Sequence, residues 1–232
     1  EVQMPEPTLS PCEEWGTMLK LAKEKEVVGI YISGHPLDDY KFVLNKYCSK
    51  GNLTIFNDIE RGLEFNFKVG GIITSVRHMV TKDGRGWAIF RLEGYDDAYE
   101  FTIYRDDYLK FKHHLEPNNF LQIKGNVGYY SNPDGSKKAR ISFGDFIDLR
   151  DVLDKQSVSL DIKLDIDKIS GELTRSLQVI FNTNAGSKKL NFTIIDTREK
   201  IWLEMPSRTQ KINISNELLE KLNELEVIYQ LN

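Results

Sequence analysis

The sequence predicts a mixed α and β protein: a helical lead-in over residues 1–64, a five-stranded β-barrel over 65–150, and a small α+β domain over 151–232. Three observations predict it. Apolar residues recur at helical spacing before residue 64. Five stretches rich in β-branched and aromatic residues, separated by Gly, Asp and Asn clusters, follow as far as residue 150. A strict alternation of apolar and polar residues then opens the last third.

In the lead-in, Trp15, Met18, Leu19, Leu21, Ala22, Val27, Val28 and Ile30 mix with Lys and Glu after Pro11, which predicts a helix with one buried face from Cys12 to about Ile32. Ser33, Gly34 and Pro36 stop it, and a short helix restarts over Leu37 to Tyr47, with Tyr40, Phe42, Val43, Leu44 and Tyr47 available for packing. Tyr47 to Leu63, with Gly51 and Gly62, reads as an irregular connector carrying another short turn.

In the middle third, strands are expected at about 65–77, 86–94, 98–104, 119–130 and 139–149. The turn signals are Lys82-Asp83-Gly84, Gly94 to Asp97, and Asn132-Pro133-Asp134-Gly135. Arg105 to Leu115 carries Tyr108, Leu109, Phe111 and Leu115 at helical spacing. Five strands with a helix between the third and fourth is the order of an OB-fold, a small partly open Greek-key barrel.

Arg150 to Ser157 reads as a polar linker. Val158, Leu160, Ile162, Leu164 and Ile166 then form a half-buried strand, and Asp167 to Asn182 a helix with Ile169, Leu173, Leu177 and Ile180 on one stripe. Leu190 to Ile195, Lys200 to Met205 and Gln210 to Ile214 are expected as an antiparallel meander, after which Ser215-Asn216-Glu217 opens a final helix through Leu225.

The totals exclude several function classes. The two cysteines, Cys12 and Cys48, are too few for a disulfide framework and lack the CxxC spacing of zinc or redox sites, so they read as reduced thiols in a cytoplasmic protein. No run approaches the length of a membrane span, and the opening lacks the layout of a signal peptide. A first residue of Glu1 fits removal of a methionine or a segment cut from a longer protein. The net charge of −4 argues against coating nucleic acid through bulk electrostatics. Basic and acidic residues number 7 against 11 over residues 1–64, 13 against 11 over 65–150, and 11 against 13 over 151–232, so only the middle third is basic.

Two stretches carry a family resemblance. EKEVVGIYISGHPLDDY, Glu24 to Tyr40, resembles the segment before the OB domain in the alpha subunit of bacterial DNA polymerase III, where a Gly-His-Pro-Leu-like turn follows a similar helix. VGGIITSVRHMVTKDGRGWAIFRLEGYDDAYEFTIY, Val69 to Tyr104, is similar to the first three strands of that OB domain. The resemblance spans roughly residues 20–150, and residues 151–232 fit by position. It implies a non-catalytic part of a replicative polymerase that binds single-stranded template DNA through its barrel. It also implies a last domain for replisome contacts, with the clamp-loader tau subunit as a candidate partner. The whole polymerase would be a DNA-directed nucleotidyltransferase that uses magnesium held by acidic residues upstream; no cofactor is expected in this segment.

The residues independently suggest where a single strand could lie, because aromatic faces stack on bases and basic side chains track phosphates. Arg77, His78, Lys82 and Arg85 occupy the predicted hairpin between the first two strands, a loop that OB-folds use for ligands. Taking Phe90, Leu92, Phe101 and Ile103 as core turns Trp87, Arg91 and Tyr104 outward, and Lys124 on the fourth strand is an addition. Trp87 and Tyr104 either stack outward or pack under the inter-strand helix.

No catalytic or metal-binding set is expected. Asp96-Asp97 and Asp106-Asp107 sit where Asp caps turns and helices, and His35 in Gly34-His35-Pro36 reads as a turn-stabilising residue. Walker, HExxH, nucleophile-elbow and dinucleotide patterns do not occur. Two other uses stay open: a barrel that only docks protein, and an anticodon-binding OB domain of the tRNA-synthetase type.

Overall fold

A computed structural model describes residues 14–49, 52–61, 63–131 and 137–232. Cys12, Pro11, Gly51, Gly62 and the Asn132 to Gly135 turn lie outside the described residues. The chain divides into two compact units, up to Asp38 and from Asp39 to Asn232.

In the first unit, α1 spans Thr17–Val28 and ends on Gly29, whose left-handed φ of +86° lets its N–H return to Lys25 O. Leu21 is the one buried residue of this helix, while Trp15, Met18, Leu19, Val27 and Val28 are exposed. The expected single buried face is therefore corrected. At about 100° per residue, Val27 lies opposite Met18 and about 120° from Trp15, so the apolar residues ring the helix instead of forming a stripe. Past the helix, Glu24 accepts hydrogen bonds from Ile32 N and Ser33 N, and from the Ser33 hydroxyl. His35 does act in a turn: its Nδ1 accepts from Leu37 N at 3.1 Å, and its N–H donates to the Asp38 carboxylate at 2.7 Å.

The second unit opens with α2, Lys41–Tyr47, and a 3-10 helix, Asn52–Arg61. The barrel follows: β1 Phe65–Val80, β2 Gly86–Glu93, β3 Ala98–Tyr104, α3 Arg105–Phe111, β4 Phe120–Ser131 and β5 Lys137–Asp148. All pairs are antiparallel and the sheet order is β3-β2-β1-β4-β5. The run β4-β1-β2-β3 is a Greek key, to which β5 adds beyond β4. Among the described residues β3 and β5 do not pair, so the barrel stays open along that seam, as OB-folds do.

Alternation fills the interior. Phe67, Val69, Ala88, Phe90, Leu92, Phe101, Ile103, Ile123 and Phe143 are buried together. The 3-10 helix closes one end of this core, which corrects the expected irregular connector. Its Phe56 stacks on Tyr99 at 4.5 Å between ring centroids and meets Phe67 and Phe101 edge-on at 5.0 and 5.1 Å. Asp97 caps its start by accepting from Leu53 N at 2.8 Å and Thr54 N at 3.2 Å. Thus one of the four suspect aspartates is spent on the backbone. On the α3 side Phe111 stacks on Phe146 at 4.3 Å.

Leu149–Gln156 is a helix, α4, and not the polar linker the sequence predicts. Asp148 caps it by accepting from Arg150 N, and Leu149, Val152 and Leu153 form a short buried stripe. The remaining elements are β6 Ser159–Asp165, α5 Gly171–Thr183, β7 Ala185–Asp196, β8 Ile201–Ile212, α6 Asn216–Glu224 and β9 Ile228–Leu231. Their sheet runs β8-β7-β6-β9, with β6 and β7 parallel and the other pairs antiparallel.

This corrects the expected three-strand meander. The chain from Ile201 to Ile212 is one strand that tolerates Pro206 because it lies at the sheet edge, and bulges between Ala185 and Asn191 keep β7 in register with it. The final helix starts as expected, with the Ser215 hydroxyl accepting from Leu218 N.

Helices α2 and α4 tie the two sheets together. Gly70 on β1 admits α2 closely, since an added Cβ would sit 2.3 Å from Leu44 Cδ2. Buried Gln122 on β4 donates to Tyr47 O at 2.9 Å and accepts from the Gln156 side chain. Lys46 reaches Leu231 O at 2.6 Å, and the Tyr47 and Ser157 hydroxyls meet at 2.7 Å.

Candidate nucleic-acid interface

Strand register decides which side chains share a surface. Residues directly opposite across a sheet point to the same side. Met79, Trp87 and Tyr104 form one such row, Arg77, Ile89 and Thr102 the next, and Ser75, Arg91 and Glu100 a third. The alternate positions Ala88, Phe90, Leu92, Phe101 and Ile103 are buried, so these rows face out. That resolves the two alternatives left open for Trp87 and Tyr104. Their rings stack on each other, 5.4 Å apart and 18° from parallel, and Tyr104 is 54% exposed.

The β1–β2 hairpin flanks this pair. Thr81 N donates to Arg85 O, Gly84 N donates to Thr81 O, and Gly84 takes the left-handed φ of +78° that the turn needs. Lys82 and Arg85 are exposed in this turn, beside the aromatic row. Arg77 lies on the outward face, with its guanidinium 3.4 Å from the Glu100 carboxylate.

Two expected site residues are not brought together with the others. His78 is on the opposite side of β1 from Arg77, in register with buried Ala88, and its Nδ1 lies 3.2 Å from the Tyr108 hydroxyl of α3. Lys124 pairs with Lys68 near the other end of β1, nine residues before Arg77. At a rise of about 3.3 Å per residue that is roughly 30 Å of strand.

A groove of about 840 Å³ opens along the seam between β3 and β5. The hairpin residues Thr81, Asp83 and Arg85, the row Trp87 and Tyr104, and Tyr130 and Arg140 from the β4–β5 hairpin all line it. Its guanidinium groups come from Arg85, Arg105 and Arg140, its carboxylates from Asp83, Glu100, Asp106 and Asp107. Arg105, the first residue of α3, holds a left-handed φ of +51°, an uncommon conformation for a side-chain-bearing residue.

The sequence reading did not single out Arg105, Tyr130 or Arg140. The signal was present in the last two, because Tyr130 and Arg140 alternate with Tyr129 and Ala139 on either side of the final hairpin. The arrangement offers stacking surfaces and a few guanidinium groups, without a continuous basic track.

No group of three or more His, Cys, Asp or Glu side chains capable of holding a metal occurs among the described residues. Asp107 accepts from Phe143 N at 3.4 Å. Burial pushes the Cys48 thiol up to about 11, which keeps it protonated and unreactive at neutral pH. No helix among the described residues is long and apolar enough to cross a membrane.

Residues 160–232 match the family described as DNA polymerase III alpha subunit, C-terminal domain. The DNA polymerase III subunit alpha of Escherichia coli O157:H7 is 26% identical over 178 residues, which are 77% of this chain and 15% of that protein. That of Vibrio cholerae is 25% identical over 215 residues, 91% of this chain and 18% of the relative. The chain is similar to DNA polymerase III alpha subunits over most of its length. The Aquifex aeolicus alpha subunit is 33% identical over 117 residues, 50% of this chain and 10% of the relative. The chain thus spans about 15% of the length of the alpha subunits matched first. Among solved structures, the mitochondrial single-stranded DNA binding protein Rim1 of S. cerevisiae is similar over 37% of this chain and 95% of that one, at 9% identity and a TM-score of 0.28. That likeness is too slight to bear on function.

Proposed function

We propose that this chain is a non-catalytic accessory segment of a replicative DNA polymerase alpha subunit. Its barrel holds single-stranded DNA across the outward face of β2 and β3 and into the β3–β5 groove. The observation that carries the reading is the outward-facing Trp87–Tyr104 stack, set beside Arg85, Arg105 and Arg140 at an open OB seam. Bases stack on the aromatic pair while the guanidinium groups meet phosphates. Contact of this kind is independent of sequence, which suits an enzyme that translates over every template. Residues 151–232 serve protein contacts within the replisome, and metal chemistry belongs to parts of the polymerase outside this segment.

The test is titration of a labelled, unstructured single-stranded DNA at about 50 mM and 200 mM salt. Three phosphate contacts give a slope of log affinity against log salt near −2, at about −0.7 per contact. Weakening with that slope supports the reading. A lack of binding at both salts transfers the groove to protein docking, a use its four carboxylates tolerate.

A further inference from the structure

Strand β8 ends the second sheet, and among the described residues no strand pairs with its outer side. Such edges are ordinarily short, bulged or charged, because unpaired backbone N–H and C=O groups template the addition of another strand. The first half of β8 is neither short nor bulged, and Glu204, opposite Thr193, is its one charged residue. Ile201, Trp202, Leu203 and Met205 are 57%, 63%, 54% and 40% exposed.

Their apolar surface lies on both sides of the sheet. Leu203 and Met205 stand opposite Ile194 and Phe192, on the face where Phe181 of α5 meets Phe192 at 5.9 Å. Trp202 stands opposite Ile195 on the other face. A helix laid on either face would leave the other apolar side chains wet and the edge backbone unused. An added strand satisfies all three at once, with alternate side chains on the two faces.

The edge also fixes the length and charge of what it accepts. Pro206 has no N–H, so the apolar stretch of edge ends there, leaving Ile201–Met205, about 17 Å of strand. Lys200, next to Glu199, flanks one end and Arg208 and Lys211 the other, all exposed, so the flanks are basic in balance.

We propose that the β8 edge over Ile201–Met205 docks an extended peptide segment of a partner protein, with an apolar centre of about five residues and acidic flanks, as a fifth strand of this sheet. This rests on reading residues 151–232 as the protein-contact segment, and specifies its surface and mode.

The test measures fluorescence anisotropy of a labelled peptide, Asp-Glu-Val-Ile-Val-Thr-Val-Glu-Asp, with the whole chain. A second peptide of the same sequence is N-methylated at each of its five central residues, which removes the donors on both strand edges. The expected results are saturable binding of the first peptide and at least about tenfold weaker binding of the methylated one. Leu203→Lys is expected to weaken binding by a similar factor with an unchanged circular dichroism spectrum, since the side chain is exposed, and Trp87→Ala to leave it unchanged.

Equal binding of both peptides, or full binding by Leu203→Lys, overturns the edge site while leaving a protein-contact segment in place. No saturation up to roughly 1 mM overturns both. Concentration-dependent dimers that Leu203→Lys dissociates would give the edge to a second copy and overturn the peptide assignment.

Discussion

Glu100 sets how much positive charge the outward face of β2 and β3 can offer. It lies 3.4 Å from Arg77 and directly opposite Arg91, and all three side chains reach solvent. An exposed pair of this kind adds little stability, about 0–1 kcal/mol, but its carboxylate repels an approaching phosphate. Glu100→Gln is therefore expected to tighten single-stranded DNA binding about two- to fivefold with the melting temperature unchanged, measured by titration beside a thermal scan. The outward side of Arg91 was legible in the sequence because it alternates with the apolar residues Phe90 and Leu92, whereas the aromatic rings Trp87 and Tyr104 suited either side and needed the strand register to place them. His78 was misplaced for a physical reason: β1 runs on to Val80, so period-two alternation separates His78 from Arg77 where a loop would have allowed them together. His114 gives a second residue-level prediction. Burial, and then the neighbouring His113, hold its pKa below the ordinary histidine value. The unfolded chain therefore binds the proton more readily, so stability is full above about pH 6.5 and falls as pH drops through that value. Thermal melts between pH 7.5 and 5.5 should show this loss, and His114→Gln should flatten it.

At the scale of elements, the five barrel strands were readable because each has one buried face, and a strand with one buried face announces itself in alternation. The elements that were missed are those whose reason lies in tertiary contacts. The 3-10 helix Asn52–Arg61 is short of helical propensity at its caps, and its start is fixed by Asp97, more than forty residues away. Helix α4 has a stripe of three buried residues inside a run of charges, and β9 is four residues long. Neither length carries a period that can be counted. The same contacts predict what these elements contribute. Phe56→Ala should cost about 3–5 kcal/mol, because it empties the end of the barrel among Phe67, Tyr99 and Phe101. Asp97→Ala removes only the cap and should cost about 0.5–2 kcal/mol. Urea denaturation of both variants checks the ratio; equal costs would mean that Phe56 is not part of the barrel core.

At the scale of the whole molecule, the two sheets of the second unit share a polar joint beside apolar contacts such as that of Phe42 on α2 with Tyr229 on β9, 6.3 Å between ring centroids. Gln122 sits at its centre, buried in β4, and its amide spans Tyr47 O of α2 and the Gln156 side chain of α4. The second sheet is tied to the same helices through Lys46 with Leu231 O and Tyr47 with Ser157. A joint of this type couples the sheets only while every member is satisfied, because a buried amide or carbonyl left without a partner costs about 1–3 kcal/mol. Trp87 reports on the barrel and Trp202 on the second sheet, so variants that each retain one of these tryptophans separate the two signals during urea unfolding. In the parent joint both signals should share one midpoint. Gln122→Leu, which keeps the volume but orphans Tyr47 O and Gln156, should lower both midpoints together if the sheets unfold as one unit. A Trp87 midpoint that falls while the Trp202 midpoint stays fixed would show instead that the second sheet folds independently, with the β8 edge presented on a platform that does not depend on the barrel.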